Sequence, residues 1–215
     1  MRAEALPAGH EPKTGAVAAA ARKDEFMSTH VALLRGINLG GKNKVAMTDL
    51  RTLVTELGHT DVSTYIQSGN VLFTAGSDTD CVIVARAMTE AIAARLGVTA
   101  PVVVVTREEL GQIHAANPFP DEPDPKRVHA VVLSAPPGPE LTAKLDAAIA
   151  QAAAKGAPDA ATTIGRTLYL HTPAGYGNSD LSAAALRIVS SPKAGVTGTA
   201  RNWATITKLL ELCGA

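Results

Sequence analysis

The chain reads as an α+β protein: two ferredoxin-like (βαββαβ) halves in tandem, with a connecting helix between them and a further helix at the C-terminus. Three observations predict this. Apolar runs of strand length alternate with amphipathic segments of helical period. Each half delivers them in the order strand, helix, strand, strand, helix, strand. A proline- and acid-rich stretch, NPFPDEPDPKR, separates the two sets. The boundaries that follow are an extension over 1–26, a first half over 27–120 and a second over 121–215.

In the first half, HVALLR is a short apolar run ending in a glycine-rich turn, which suits a buried strand. MTDLRTLVTELG then places Leu50, Leu53, Val54 and Leu57 on one helical face, with Thr48 as N-cap and Gly58 as the stop. DVSTYIQ and NVLFTA are strands joined by a two-residue turn, Ser68–Gly69. DTDCVIVARAMTEAIAARLG is a helix closed by Gly97, and PVVVVT a strand with proline at its first position. Residues 107–116 form the connecting helix. In the second half the matching elements are VHAVVLS, PELTAKLDAAIAQAAAKG, AATTI and TLYLH about a Gly-Arg turn, SDLSAAALRIVS, and AGVTGT as a short edge strand. RNWATITKLLELC is the final helix. The halves share element order, not side chains.

A chain of 215 residues, 46% hydrophobic, is long enough to bury a core. Its 20 basic and 20 acidic residues cancel, so no overall field draws it to nucleic acid or an anionic membrane, and any anion site is local. No apolar run reaches the ~18 residues of a membrane span. Cys81 and Cys213 lack both ligand spacing and a disulfide pattern. The expectation is a soluble, cytoplasmic protein. Residues 1–26 read as a disordered extension, with Met27 as an alternative start; AVAAAA is too short for a secretory signal and has its basic residues on the wrong side.

Chain direction brings two loops together. In a sheet of order 4-1-3-2, strands 1 and 2 run the same way, so Arg35–Lys44 and Gln67–Asn70 share one end, about 10 Å apart from strand spacing alone. In the second half the same logic sets Arg201, Asn202 and Trp203 beside Tyr176, Asn178 and Ser179. Gly36, Gly41 and Lys42 meet part of a phosphate-loop pattern, G-x-x-x-x-G-K. Against a nucleotide triphosphatase, Asn43 stands where a magnesium-binding hydroxyl belongs, the helix starts late, and neither PVVVVT nor HAVVLS ends in an acid. An anion cradle without hydrolysis survives, with Arg35, Asn38, Gly40, Gly41, Lys42, Asn43 and Lys44. Spacing alone favours a plain turn, in which the glycines supply positive φ and the basic residues are solvated.

Gln67 and Asn70 bracket Ser68 with amides that both donate and accept, which suits a base or sugar edge; a hairpin alone also explains them. Arg201, Asn202 and Trp203 are explained equally by a helix cap and a core tryptophan. The six histidines are scattered singly, so no metal is expected. No cofactor is specified, Ser68 lies in no nucleophile elbow, and no catalytic residue emerges. The first sheet lacks the aromatics that favour RNA stacking, since strand 1 carries none and strand 3 only Phe73.

VALLRGINLGGKNKVAMTDLRTLVTELGHTDVSTYIQSGNVLF, LYLHTPAGYGNSDLS and TARNW together resemble the signatures of a bacterial family, domain of unknown function 1697, over about residues 29–213. The resemblance implies a two-part α+β protein and carries over Arg35, Gly36, Asn38, Gly40, Gly41, Gln67, Ser68, Gly69, Asn70, Asn117, Pro118, Arg201, Asn202 and Trp203. They cluster in the paired loops, which turns the balance toward a site. The chain departs from the family at Asn178 and Asp180, where basic residues are usual, which counts against that turn as an anion site. The expected function is binding of a small polar or anionic ligand, nucleotide-like or phosphorylated. The alternatives are binding to a nucleic-acid backbone through Arg35, Lys42, Lys44 and Arg201, or a protein-interaction module without ligand.

Overall fold

The structure is a computed structural model that describes residues 28–214; the extension expected over 1–26, and Met27, lie outside the described residues. In chain order the elements are β1 (His30–Leu34), α1 (Met47–Glu56), β2 (Thr60–Tyr65), β3 (Asn70–Thr74), α2 (Cys81–Leu96), β4 (Val102–Thr106) and α3 (Arg107–Ala115). Then come β5 (Val128–Leu133), α4 (Pro139–Ala154), β6 (Ala160–Ile164), β7 (Thr167–His171), α5 (Asp180–Val189), β8 (Gly198–Asn202) and α6 (Trp203–Leu212). They form two four-stranded antiparallel sheets, β2-β3-β1-β4 and β6-β7-β5-β8, the predicted ferredoxin-like order twice over.

The strands HVALL, VVVVT and VHAVVL lack polar alternation because both of their faces are covered. In β1, Ala32 and Leu34 pack with Leu50, Leu53, Val54, Met88 and Ile92 of α1 and α2. Val31 and Leu33, pointing the other way, join a central core with Val103, Val105, Ala130, Val132 and Tyr169 of both sheets and Leu110, Ile113, Ile206 and Leu209 of α3 and α6. A third core lies between the second sheet and α4 and α5. The sheets are also joined by hydrogen bonds: the buried Tyr169 hydroxyl donates to Ile113 O at 2.9 Å. Arg166, ion-paired to Glu109, donates to Leu133 O at 2.6 Å and Val104 O at 3.1 Å.

Three local expectations are corrected. Helix α1 starts at Met47, with Ala46 and not Thr48 at the N-cap and no side-chain cap, and the Thr48 hydroxyl donates instead to Asp49. The β2–β3 connection has four residues, Ile66–Gly69, since Tyr65 pairs with Asn70 and Ile66 already has φ +48°. The Asn70 side chain sets this closure, donating to Tyr65 O at 3.0 Å and Ser68 Oγ at 3.1 Å. The last strand is GTARN, not AGVTGT, because Pro192–Ala194 forms a 3₁₀ turn ended by Gly195 at φ +68°. Elsewhere the caps follow the sequence: Ser179 accepts from Ser182 N–H, and α2 ends at left-handed Gly97.

Candidate functional site

Strands β1 and β2 flank β3, each antiparallel to it and so parallel to one another, and the segment after β1 and the Ile66–Gly69 loop leave the sheet at one end. They are in contact: Leu34 N–H donates to Gly69 O at 2.8 Å, and Asn38 Nδ2 donates to Gln67 O at 2.9 Å. Gly69 has φ +80°, and a Cβ there would lie 2.7 Å from Leu34 Cβ and 2.8 Å from Ile37 Cδ1. No side chain fits at that approach.

The Arg35–Lys44 segment holds its own shape. Asn38, at φ +54°, accepts from Val45 N–H and donates to Val45 O, both at 2.9 Å. Asn43, at φ +49°, donates to Gly36 O at 2.9 Å. Leu39 and Lys42 form a small bridge that turns the tip outward, leaving Leu39 64% exposed.

The opposite wall comes from the second half. Arg201, on β8, is 8% exposed and passes every guanidinium N–H to the protein. Nε donates to Asn70 Oδ1 at 2.5 Å, and Nη1 to Thr199 Oγ1 at 2.9 Å and Ala200 O at 2.8 Å. Nη2 donates to Leu34 O at 2.7 Å, Gly69 O at 3.1 Å and Ser68 O at 3.2 Å. These partners are dipoles, not a carboxylate. Burial pulls the Arg201 pKa down to about 10, which still leaves the group charged at neutral pH. Arg35, half-buried, makes two long bonds through Nη1 alone, to Ser190 Oγ at 3.1 Å and Gly198 O at 3.3 Å. Its Nε and Nη2 make no hydrogen bond among the described residues.

Between these walls lies a hollow of about 470 Å³, within the size range of small-molecule sites. Ile37, Leu39, Ile66, Leu186 and Ala200 make it largely apolar, while Arg35, Ser68, Arg201 and Asn202 supply polar edges. On one side stand His129 and Tyr176, stacked with centroids 4.0 Å apart. His129 Nδ1 and Tyr176 Oη are buried and have no hydrogen-bond partner among the described residues. Burial lowers the His129 pKa to about 4 and raises that of Tyr176 to about 12, so both rings are neutral at neutral pH. Among the described residues no Asp or Glu lines the hollow. The buried Arg201 and the half-buried Arg35 thus both border the hollow, with no carboxylate on its lining among the described residues. The Ser68 hydroxyl oxygen accepts from Asn70 Nδ2 at 3.1 Å.

The family described as "Protein of unknown function (DUF1697)" matches residues 27–169, more than half of the chain. The chain belongs to DUF1697. Among solved structures, conserved bacterial protein SP0830 from Streptococcus pneumoniae shares the fold, with a TM-score of 0.61 at 22% identity over 87% of this chain and 99% of that one. No curated protein matches.

Within this DUF1697 chain the expected site residues divide. Arg35, Ser68, Arg201 and Asn202 line the hollow. The amides of Asn38, Asn43 and Asn70 are engaged inside the chain. Gly40, Gly41 and Lys42 are exposed on the tip and do not line the hollow, and the Gln67 side chain is exposed beside it. Trp203 lies against the central core, stacked on His114 at 5.2 Å. Asn117, carried over from the family, accepts from Phe119 N–H in a local turn. Sequence reasoning missed His129, Leu186, Ser190 and Thr199 as lining residues, and set Tyr176 beside Arg201 without assigning it to a site. No local motif marks any of them. Their common feature is a place on the second half that faces the end of the first sheet. Among the described residues no cluster of His, Cys, Asp or Glu could hold a metal, and no helix is long and apolar enough to cross a membrane.

Proposed function

We propose that this protein binds a small, partly apolar, anionic molecule, nucleotide-like or phosphorylated, in the hollow between the end of its first sheet and β8. One observation carries the reading: Arg35 and Arg201 line a largely apolar hollow with no Asp or Glu on its walls among the described residues. A buried cation without a counter-charge sits in an unfavourable field, and an arriving anion relieves it. Arg201 acts through its charge, because its donors are saturated within the protein. Arg35 acts by direct contact: Nε and Nη2 form one edge of a guanidinium fork, the geometry that takes a phosphate or carboxylate in two parallel bonds. The neutral His129–Tyr176 stack offers a flat surface to an apolar or aromatic part of the ligand.

A thermal-shift screen of nucleotides and phosphorylated metabolites, run on wild type and Arg35→Ala, tests this. A true ligand at 100 times its Kd adds about 2.7 kcal/mol of stability. Loss of one charge-assisted contact of about 1.5–3 kcal/mol weakens Arg35→Ala roughly tenfold or more. A stabilising compound that shifts Arg35→Ala equally contradicts the assignment of Arg35, and a screen with no stabilising compound contradicts the function.

A further inference from the structure

A second hollow of about 370 Å³ adjoins the first, and the two have lining residues in common. Arg35 and Ser190 line both, and Arg35 Nη1 donates to Ser190 Oγ at 3.1 Å and to Gly198 O at 3.3 Å. Bonds of that length are at the weak end of the normal range. The two compartments differ in chemistry. The first has aliphatic walls and the His129–Tyr176 stack; the second is lined by Ser134, Ser190, Ser191 and Thr197 beside Val189, Pro192 and Val196, and is the more polar. The last turn of α5 borders the second compartment, and a helix C-terminus carries partial negative charge, which favours hydroxyl donors over an anion. Arg35 is the one charged side chain on its walls among the described residues.

We infer that the two hollows are one bipartite site, for a ligand in which an aromatic group and a polyhydroxylated group are joined through a phosphate or pyrophosphate. The aromatic group lies against Tyr176 and His129. The phosphate exchanges with Ser190 and Gly198 for the Arg35 guanidinium. The hydroxylated group occupies the serine- and threonine-lined compartment. This rests on the anion reading above and adds the identity of the groups on either side of the anion. Arg35 becomes the central clamp of the ligand.

Isothermal titration of the full chain with AMP, ribose 5-phosphate and ADP-ribose tests the inference. AMP offers the ring and an anion, ribose 5-phosphate the anion and hydroxyls, and ADP-ribose all three. ADP-ribose is expected to bind wild type about tenfold more tightly than AMP, the effect of one or two added polar contacts. Ser191→Phe, which fills the second compartment, should abolish that advantage, bringing the ratio of the ADP-ribose and AMP affinities close to one. If AMP binds and ADP-ribose gains nothing, the bipartite site is wrong while the anion site stands. If Ser191→Phe leaves the advantage intact, the hydroxylated group lies elsewhere and the inference falls. If none of the three probes binds, the anion reading itself fails. The comparison of probes on wild type decides the matter even where Ser191→Phe does not fold.

Discussion

Replacing Gly69 by alanine probes the contact that joins the two loops of the first sheet. Two penalties add. At φ +80° an L-residue adopts the left-handed region, which costs roughly 1–2 kcal/mol. The new methyl group would also lie 2.7 Å from Leu34 Cβ, which cannot give way because Leu34 is held in β1 between β3 and β4, and 2.8 Å from Ile37 Cδ1. Overpacking of this kind costs about 1–3 kcal/mol. Together they predict a loss of about 2–5 kcal/mol, or roughly 5–15 °C in Tm for a fold of this size. Gly40→Ala is the control: φ is +55°, but a Cβ there meets nothing within 4 Å, so only the backbone penalty applies. Urea denaturation of both variants, compared through Cm at constant m, measures the difference. Because Gly69 O accepts from both Leu34 N–H and Arg201 Nη2, the larger loss should come with a disturbed Arg201 environment and weaker ligand stabilisation. If Gly69→Ala is no worse than Gly40→Ala, the close approach of the two loops is wrong.

Other consequences follow from single groups. Asn70→Asp places a carboxylate beside Arg201 Nε and should weaken AMP binding at least several-fold while the protein stays folded; equal AMP affinity would mean that the Arg201 charge is not felt in the hollow. His129 has a folded-state pKa of about 4 against 6.5 for the free side chain, so its contribution is complete above pH 6.5 and is lost as pH falls toward 4. The full shift corresponds to about 3 kcal/mol, and to ~2 once solvent screening of a partly accessible ring is allowed for. Wild type should therefore lose ~2 kcal/mol more than His129→Phe between pH 7 and pH 4, and parallel pH curves for the two proteins would contradict the burial argument. The central core draws on both sheets, so unfolding followed by Trp203 fluorescence and by far-ultraviolet circular dichroism should give one coincident transition; two resolved transitions would show that the halves unfold separately.

The sheets were legible in the sequence because strands buried on both faces are written as unbroken apolar runs, as in β1, β4 and β5. Two strand boundaries were not. Ile66 and Gln67 have strand composition, but the Asn70 side chain closes the turn onto Tyr65 O, and a side-chain bond of that kind outweighs β-propensity. The last strand carries Arg201 in a position that a strand pattern discounts. Its burial depends on acceptors at Leu34, Ser68, Gly69 and Asn70, more than 130 residues earlier in the chain. The shared rim of the first sheet followed from chain direction alone. The opposing wall did not, since the placement of one sheet on the other is set by the central core and leaves no local pattern around His129, Tyr176 or Ser190. The partial phosphate-loop pattern does not point to the hollow for a physical reason: Gly40, Gly41 and Lys42 sit on an exposed tip, while Arg35 at the strand end lines the hollow.

The most direct measurement is a crystal of the full chain soaked in selenate, a tetrahedral anion located by its anomalous signal. An anion seated in the hollow between the two sheets predicts a selenium peak within hydrogen-bonding reach of Arg35 Nε and Nη2, absent from Arg35→Ala crystals. Peaks confined to the exposed Lys42 and Lys44, with the hollow empty, would contradict it.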